Sequence, residues 1–492
     1  MYSSRYPSLY QINTRVWLSE LSGLLGRHAT LDDVPDAALD ELARQGFDWI
    51  WLLSVWQTGA VGQAISRSKT EWRREFEETL TDLTDDDICG SGFAITGYTV
   101  HRDFGGDAAL ARLRERMKQR GLKVMLDFVP NHMAPDHPWV EQQPEYFVGG
   151  NEIDLDREPQ NYFEVTTKAG SRVFAHGRDP FFPGWPDTLQ LNYGNPSLQE
   201  AMLGELTRIA GQCDGVRCDM AMLVLPEVFQ RTWGIDSQPF WPLAIPRVHA
   251  KFPGFVFMAE VYWDLEWTLQ QQGFDYCYDK RLYDRLREGH AGPVREHFLA
   301  GLDFQDRLVR FLENHDESRA ATFDTARHCA AAVITFLSPG LRFFHQGQLE
   351  GRRKRISPHL GRAPVEPIDF ALANFYDRLL GVVRHSAVRE GAWQLLECGL
   401  AWDGNWTRDC FIACSWENSA DQQLIVVVNY SDHQSQSRLR LPFAADSSVR
   451  YRFQELIGNA CYERLGVDLS ENGLFVDLPA WGYHVFSVTT LP

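Results

Sequence analysis

The chain has 492 residues, of which 44% are hydrophobic and 13% aromatic. This length exceeds one ordinary domain and this composition can bury a large core, which argues against a disordered chain. The formal net charge is −18, and such a charge repels phosphate backbones and anionic lipids, so we expect neither nucleic acid nor a membrane as a partner.

The sequence also gives expectations about location and thiols. Residues 1–15 contain no apolar stretch of the length that a secretory signal needs, and no later stretch reaches the ~20 apolar residues of a membrane span. We therefore expect a cytoplasmic protein. Cys410 and Cys414 lie four positions apart without a nearby histidine, so the 9 cysteines favour reduced thiols over disulfides or zinc. Nothing in the sequence indicates an oligomeric state.

The first two thirds of the chain alternate apolar runs with helical patterns, as parallel βαβ units do. This alternation predicts a closed (β/α)8 TIM barrel, since the glycine fingerprint of a dinucleotide-binding sheet is absent. In chain order, the predicted strands lie at residues 9–17, 47–53, 122–129, 214–219, 254–260, 307–313 and 341–345.

Two predicted helices precede strands of this series. The first covers residues 108–120, where Asp107 can cap the start and Gly121 can end the helix. The second begins with a capping Asn195 and with Pro196 at its first position. Each leads directly into an apolar strand, which is the order that a parallel barrel requires.

The alternation is interrupted twice and then ends. Insertions at residues 56–92 and 133–185 are expected to build a substrate cleft. After residue 387 the helical pattern is replaced by short alternating segments, which predict a C-terminal all-β sandwich. The predicted domains are therefore a barrel of residues 1–132 and 186–386, a small inserted domain of residues 133–185 after the third strand, and a sandwich of residues 387–492.

Polar residues end four of the apolar runs, and active sites of parallel barrels gather at these strand ends. One such carboxylate could simply cap the following helix, but four ends together indicate a site. They read Asp127-Phe-Val-Pro-Asn131-His132, Gly215-Val-Arg217-Cys-Asp219, Met258-Ala-Glu260-Val-Tyr262-Trp263 and Glu313-Asn314-His315-Asp316.

Asp219 and Glu260 are separated by about one strand-helix-strand step, so they can face each other across one cleft. Glycoside cleavage uses such a pair, one carboxyl protonating the leaving oxygen and the other attacking the sugar or activating water. Arg217 lies on the same strand face as Asp219 and can keep that carboxylate ionised and aligned, or form a purely structural ion pair.

In their order and spacing, these four segments resemble the signature regions of the α-amylase family, glycoside hydrolase family 13. The resemblance implies that Asp219 is the nucleophile, Glu260 the general acid/base and Asp316 the stabiliser of the transition state. It implies substrate-binding roles for further residues of these segments, although a histidine here could also be a structural barrel residue. These residues are His132, Arg217 and His315. Tyr262 and Trp263 directly follow the region of Glu260, where they could wall the leaving-group subsite or pack the barrel against the next helix.

The chain departs from the family pattern at several positions. Phe93 stands where a stacking tyrosine is common, so we expect an aromatic platform for the sugar without its hydroxyl. Met222 and Leu223 replace a Lys-His pair that contacts glucan and supports calcium. Asn131 matches the usual calcium ligand, so a structural Ca²⁺ remains an open alternative. No organic cofactor is expected.

The resulting prediction is a retaining α-glycosidase that acts on oligosaccharides or α-glucans, with Glu260 protonated and Asp219 ionised. Two alternatives stay open. A transglycosylase or isomerase of the same family would use the same carboxylates with a sugar hydroxyl as the acceptor. A catalytically inactive sugar-binding relative would often lack one of them.

Overall fold

The computed structural model describes residues 4–168, 170–419, 422–443 and 448–491. Eight parallel strands close into a barrel in which the first strand pairs with both the second and the last. The predicted (β/α)8 TIM barrel is confirmed. In chain order its strands are β1 (Ser8–Asn13), β2 (Trp49–Leu53), β3 (Lys123–Phe128), β4 (Gly215–Cys218), β5 (Val256–Ala259), β6 (Tyr276–Tyr278), β7 (Leu308–Phe311) and β8 (Leu341–His345).

The barrel strands agree with the predicted segments at seven of eight places, and β6 is the strand that the sequence analysis missed. It has only three residues, too few for an apolar run to stand out. The prediction for residues 9–17 is wrong beyond Asn13. The Asn13 side chain accepts a hydrogen bond from the backbone N–H of Val16 and thereby caps a helix that begins at Thr14.

Helices surround the barrel. Asn195 caps its helix as predicted, accepting from the Ser197 N–H at 2.9 Å. Asp107 is not a cap: its helix begins at Gly106, and the carboxylate instead accepts from the Val100 N–H at 2.8 Å. Within the described ranges, no helix is long and apolar enough to cross a membrane. The surrounding helices are Thr14–Leu25, Asp36–Gln45, Gly106–Lys118, Pro196–Ala210, Pro226–Trp233, Trp241–Lys251, Glu266–Gln271, Lys280–Glu288, Ala291–His297, Leu302–Gln305, Thr325–Phe336, Phe370–Val383 and Ser386–Glu390.

Additional elements lie between β2 and β3 and between β3 and β4. The first segment carries two helices, Ala60–Ser68 and Thr70–Thr79. The second carries an antiparallel hairpin, Tyr162–Thr167 with Gly170–Ala175. Both segments leave the barrel at the C-terminal ends of strands, where they flank the predicted site. Their shorter elements are Trp56–Thr58, Ile95–Val100, His132–Met133, Trp139–Gln142, Glu152–Arg157 and Leu189–Gln190.

The C-terminal part is built from two sheets that share a hydrophobic core, with one short helix, Gly466–Asn472. Phe411, Ile425 and Phe453 face this core from the larger sheet, and Leu439 and Val476 face it from the smaller one. The larger sheet contains, in spatial order, Ala392–Leu395, Phe411–Ser419, Gln422–Asn429, Tyr483–Leu491, Arg450–Glu455 and Cys461–Leu465; the smaller contains Cys398–Gly399, Ser435–Leu439 and Leu474–Leu478.

Trp416 joins this C-terminal part to the barrel. Its side chain is fully buried, and its indole N–H donates to the Leu337 carbonyl at 2.8 Å. The Tyr6 ring, just before β1, meets the indole edge-on at a centroid distance of 5.1 Å. The two parts of the chain therefore share a packed seam.

We expect Trp416→Ala to reduce the free energy of unfolding by about 3–5 kcal/mol, because it leaves a cavity at this seam and an unpaired carbonyl at Leu337. Thermal unfolding followed by circular dichroism measures the change. Trp402→Ala is the matched control, since Trp402 is 54% exposed, and should shift the stability by no more than about 0.5 kcal/mol. Equal effects of the two substitutions would contradict the assignment of the seam.

Candidate active site

Arg217, close to the end of β4, holds the two proposed catalytic carboxylates. Its Nη1 donates to Asp219 Oδ1 and its Nη2 to Glu260 Oε2, each at 2.6 Å. The strand register explains this placement, because Arg217 pairs with Met258 of β5 and both carboxylates lie two residues further along. The guanidinium is fully buried.

Three aromatic rings surround the guanidinium of Arg217. Trp51 from β2, Phe93 and Tyr278 from β6 have ring centroids 5.3, 5.2 and 5.8 Å from its Cζ atom. Cation–π contacts of this kind strengthen when they are desolvated. The rings therefore leave the carboxylates as the main hydrogen-bonding partners of this cation.

Glu260 has a specific environment for an acid. Its Oε1 accepts from the Tyr262 hydroxyl at 2.8 Å, and its Oε2 accepts from the Met220 N–H at 2.7 Å as well as from Arg217. Burial raises the pKa of Glu260 to about 8, and the Asp219 charge adds to this effect while Arg217 opposes it. Glu260 is thus biased towards the protonated form at neutral pH.

Met220, the residue after Asp219, has a φ of 42°. This left-handed conformation is costly for a residue with a side chain, and such costs concentrate at functional sites. It directs the Met220 N–H towards Glu260. The turn after β4 therefore positions the Glu260 carboxyl as well as presenting Asp219.

His315 and Asp316 follow β7. Gln11 from β1 donates its side-chain amide to His315 Nδ1 at 2.9 Å, so the ring proton lies on Nε2, which is 3.1 Å from Asp316 Oδ2. Burial, with the Arg217 charge, holds the pKa of His315 well below its usual range, so the ring is neutral. The Asp316 side chain is 42% exposed and therefore open to the cleft.

Two other predicted substrate-binding residues, Phe93 and His132, are also aromatic. The ring of Phe93 is 5.5 Å from that of His315. His132 is buried next to Trp185 of the second insertion, with a ring-centroid distance of 5.2 Å. Burial lowers the pKa of His132, which keeps it neutral as a hydrogen-bonding group. Met222 and Leu223 are buried, so their side chains line no open part of the cleft.

Several further residues support the site, and the sequence analysis assigned no role to them. Asp127, from the first strand-end segment, is buried 3.8 Å from Arg217 Nη1, and burial raises its pKa to about 7. Gln11 and Trp51 both contact His315, the first by a hydrogen bond and the second by an edge-to-face ring contact. The available signal for Gln11 was its polar side chain between Tyr10 and Ile12 of β1, whereas Tyr278 lies on the undetected β6 and left none.

The residues around Asn131 do not fit a structural Ca²⁺. The Gln190 amide nitrogen donates to the Asn131 side-chain oxygen and backbone carbonyl, both at 3.0 Å, and to the Leu191 carbonyl at 3.1 Å. A cation would need these oxygens as ligands.

Comparisons with known proteins find α-amylases among those similar to this chain. The sequence profile of the α-amylase catalytic domain matches residues 37–234. The α-amylase MalA of Haloarcula japonica is 26% identical over 295 residues, which cover 56% of this chain and 39% of that protein. The trehalose synthase/amylase TreS of Mycobacterium tuberculosis is 28% identical over 257 residues, covering 45% and 41%. The matched part thus spans about two fifths of these relatives' length.

A solved structure extends the likeness to the whole chain. The maltogenic α-amylase AmyB of Thermotoga neapolitana superimposes with a TM-score of 0.70 at 17% sequence identity, covering 99% of both chains. At this identity the likeness concerns the fold. It includes the C-terminal sandwich as well as the barrel.

Removal of divalent cations should leave the folded protein unchanged, because the Gln190 amide occupies the position between the oxygens. We expect EDTA not to alter the midpoint of thermal unfolding. Gln190→Ala should lower that midpoint, since buried oxygens lose their donor at a cost of about 1–3 kcal/mol. Gln119→Ala, on the exposed end of a helix, is the control. Destabilisation of the unaltered protein by EDTA, reversed by Ca²⁺, would contradict this account.

Proposed function

This chain belongs to the α-amylase family of glycoside hydrolases, and we propose that it cleaves α-glucosidic bonds with retention, through a covalent glycosyl intermediate on Asp219. The observation that carries the proposal is that one guanidinium holds Asp219 and Glu260 together. Retaining enzymes need their two carboxyls close, about 5–5.5 Å apart, whereas inverting enzymes leave room for a water between them.

In the first step, an Asp219 oxygen attacks the anomeric carbon as the bond to the leaving oxygen breaks. Glu260 gives its proton to that oxygen, and the bond electrons leave with it. In the second step, Glu260, now a carboxylate, takes a proton from water or from a sugar hydroxyl. The resulting oxygen attacks the same carbon and releases Asp219. Asp316 stabilises the positive charge that develops on the sugar in both steps.

The neutral histidines suit the binding of that sugar. With Nδ1 accepting from Gln11, His315 presents its Nε2–H as a donor; this nitrogen has no hydrogen-bond partner among the described residues and lies 3.1 Å from Asp316 Oδ2. His132 faces the nucleophile closely enough for the Asp219 charge to act on its pKa. Both rings can therefore hydrogen-bond hydroxyls of the glucosyl unit that becomes attached to Asp219.

A specific observation also favours transfer to a sugar acceptor. Trp263, three residues after Glu260, is 39% exposed and meets the exposed ring of Phe181 at 5.0 Å. Trp263 has a φ of 64°, a left-handed conformation that is costly for a residue with a side chain, in the turn after Glu260. These rings can stack an acceptor sugar where water would otherwise react. The similarity to a trehalose synthase/amylase supports this second candidate.

The presence of all three carboxylates argues against an inactive sugar-binding relative. Their side chains converge on one site, and Glu260 carries a pKa suited to an acid. Substrates are proposed to be α-linked glucosides, from disaccharides to α-glucans.

We expect Asp219→Asn to lower kcat/KM on α-glucosyl fluoride by about 10⁴-fold or more, because it removes the nucleophile. The unaltered enzyme should release the α-anomer first, which proton NMR detects before mutarotation. Asp36→Asn, an exposed carboxylate on the helix Asp36–Gln45, is the control and should retain full activity. First release of the β-anomer would contradict retention.

The pH dependence should reveal Glu260 as the acid. Only its protonated form can donate, so kcat/KM on maltooligosaccharides should fall as pH rises through its pKa of about 8. Fluoride leaves without needing a proton from Glu260. The first step with α-glucosyl fluoride should therefore show no such fall of kcat/KM at alkaline pH. If kcat/KM fell equally at alkaline pH with both substrates, the fall would have to come from a group other than Glu260.

A further inference from the structure

A cavity separate from the active site lies between the first helix and the first insertion, residues 56–92. Its volume is about 500 Å³. Residues of the helix Thr14–Leu25 line it together with Thr58 and Cys89, near the beginning and the end of the insertion, and with residues 101–104. None of the three proposed catalytic carboxylates lines it. A ligand bound here would therefore not occupy the position of the cleaved bond.

Arg15 brings a buried positive charge to this cavity. It belongs to the first turn of the helix, is 6% exposed and lines the cavity. Its Nη1 donates to the carbonyls of Gly90 and Pro358, and its Nη2 donates to the Thr58 hydroxyl at 3.2 Å. These acceptors are neutral. They hold the guanidinium in place without balancing its charge.

No carboxylate pairs with this guanidinium among the residues that the structure describes. By contrast, the buried Arg217, Arg310 and Arg319 each form an ion pair with an aspartate or a glutamate. Burial lowers the pKa of Arg15, and among the described residues the Cys89 thiol alone acts in the opposite direction. Since burying an uncompensated charge is costly, an anion from solution would be stabilised next to Arg15.

Arg15 also has a donor that no protein group uses. Arg342, another buried arginine without an ion pair in the described ranges, donates from Nε, Nη1 and Nη2 to three backbone carbonyls. In Arg15 only the two Nη atoms find acceptors, and no described residue accepts from Nε. The hydrogen bonding of this guanidinium is thus incomplete, and a ligand in the cavity can complete it.

The other formal charges that line the cavity balance each other. Asp103 Oδ1 lies 3.6 Å from Arg102 Nε, and its Oδ2 lies 3.6 Å from His101 Nδ1. Burial lowers the pKa of His101, which keeps this ring neutral. Asp103 therefore offsets Arg102, and Arg15 leaves the lining with a net positive charge. Because the whole chain carries a net charge of −18, this positive lining does not follow from the composition.

The size and polarity of the cavity indicate the class of ligand. Its volume of about 500 Å³ lies within the ~300–1,000 Å³ of small-molecule sites and exceeds what an inorganic ion needs. Ser19, Gln57 and Gln63 also line it, and such hydroxyl and amide groups suit the hydroxyl groups of a ligand. A phosphate carries nearly two negative charges and several acceptor oxygens, so it can pair with Arg15 and Arg102 together.

We propose that this cavity binds a phosphate monoester of a small polyhydroxy compound of about the size of a hexose, with Arg15 and Arg102 holding the phosphate. The site goes beyond the proposed glycosidase function. It takes no part in bond cleavage, and its occupancy does not depend on the catalytic carboxylates.

Protection of Cys89 tests where the ligand binds. This thiol lines the cavity and is partly exposed, so a bound ligand should shield it. We expect about 10 mM glucose 6-phosphate to slow the alkylation of Cys89 by iodoacetamide about fivefold or more, and the same concentration of glucose to leave the rate unchanged. Mass spectrometry follows each cysteine peptide separately. Cys461, which is exposed in the C-terminal part, is the internal control and should react equally fast in every sample.

Calorimetric titration tests the residues that hold the phosphate. The unaltered protein should bind glucose 6-phosphate with a Kd of about 1 mM or lower. Arg15→Gln should weaken binding about tenfold or more and Arg102→Gln about threefold or more, because charge-assisted hydrogen bonds to the phosphate are lost. Arg44→Gln is the matched control, since it removes the same charge from an exposed helical position outside the cavity, and it should bind as the unaltered protein does.

Thermal unfolding verifies that the variants are folded; should Arg15→Gln fail to fold, Arg102→Gln and the protection of Cys89 decide. Absent protection of Cys89, equal protection by glucose, or equal affinity in all folded variants would overturn the phosphate site. Equal weakening by Arg44→Gln would also overturn it, because the effect would then come from net charge alone. Each of these results would leave the proposed glycosidase function intact, which is measured on α-glucosyl fluoride.

Discussion

The site depends on the burial of one guanidinium. Arg217 has no exposed surface, and an arginine side chain cannot release its proton to avoid the cost of desolvation. An unpaired charge in this position would cost several kcal/mol, so the cation requires carboxyl oxygens that accept its hydrogen bonds. Asp219 and Glu260 supply them. The hydrogen bonds that compensate for burying this charge are the same ones that hold the proposed nucleophile, Asp219, close to the proposed acid, Glu260.

The surroundings give the two carboxylates different tasks. Glu260 receives a backbone donor from the strained Met220 and a hydroxyl donor from Tyr262, yet burial and the neighbouring Asp219 raise its pKa. Asp219 follows directly from β4, with its backbone N–H bonded to the Phe128 carbonyl of β3. The register of the barrel strands therefore determines where the Asp219 and Glu260 carboxyls lie, and burial with the neighbouring charges determines the protonation of Glu260. Enzymes that use two carboxyls generally separate their roles in this way.

The sequence predicts the elements whose signals are local and repeated. Long apolar runs indicated most barrel strands, and motif residues at their ends indicated the carboxylates. β6 was missed because three residues carry no periodicity, and Tyr278 was missed with it. The helix beginning at Thr14 was missed because Asn13 acts through a cap after an apolar strand. The contacts of Gln190 with Asn131 and of Arg15 with Pro358 join residues far apart in the chain, which no local pattern reveals.

The most direct test of the account is to trap the intermediate. The enzyme would be incubated with 5-fluoro-α-glucosyl fluoride, which slows release of the glycosyl group more than its attachment, and the digest would be analysed by tandem mass spectrometry. The account predicts one fluoroglucosyl group, on Asp219. Labelling of Glu260, Asp316 or Asp127 instead, or turnover without any labelled peptide, would contradict the assignment of the nucleophile and with it the role given to Arg217.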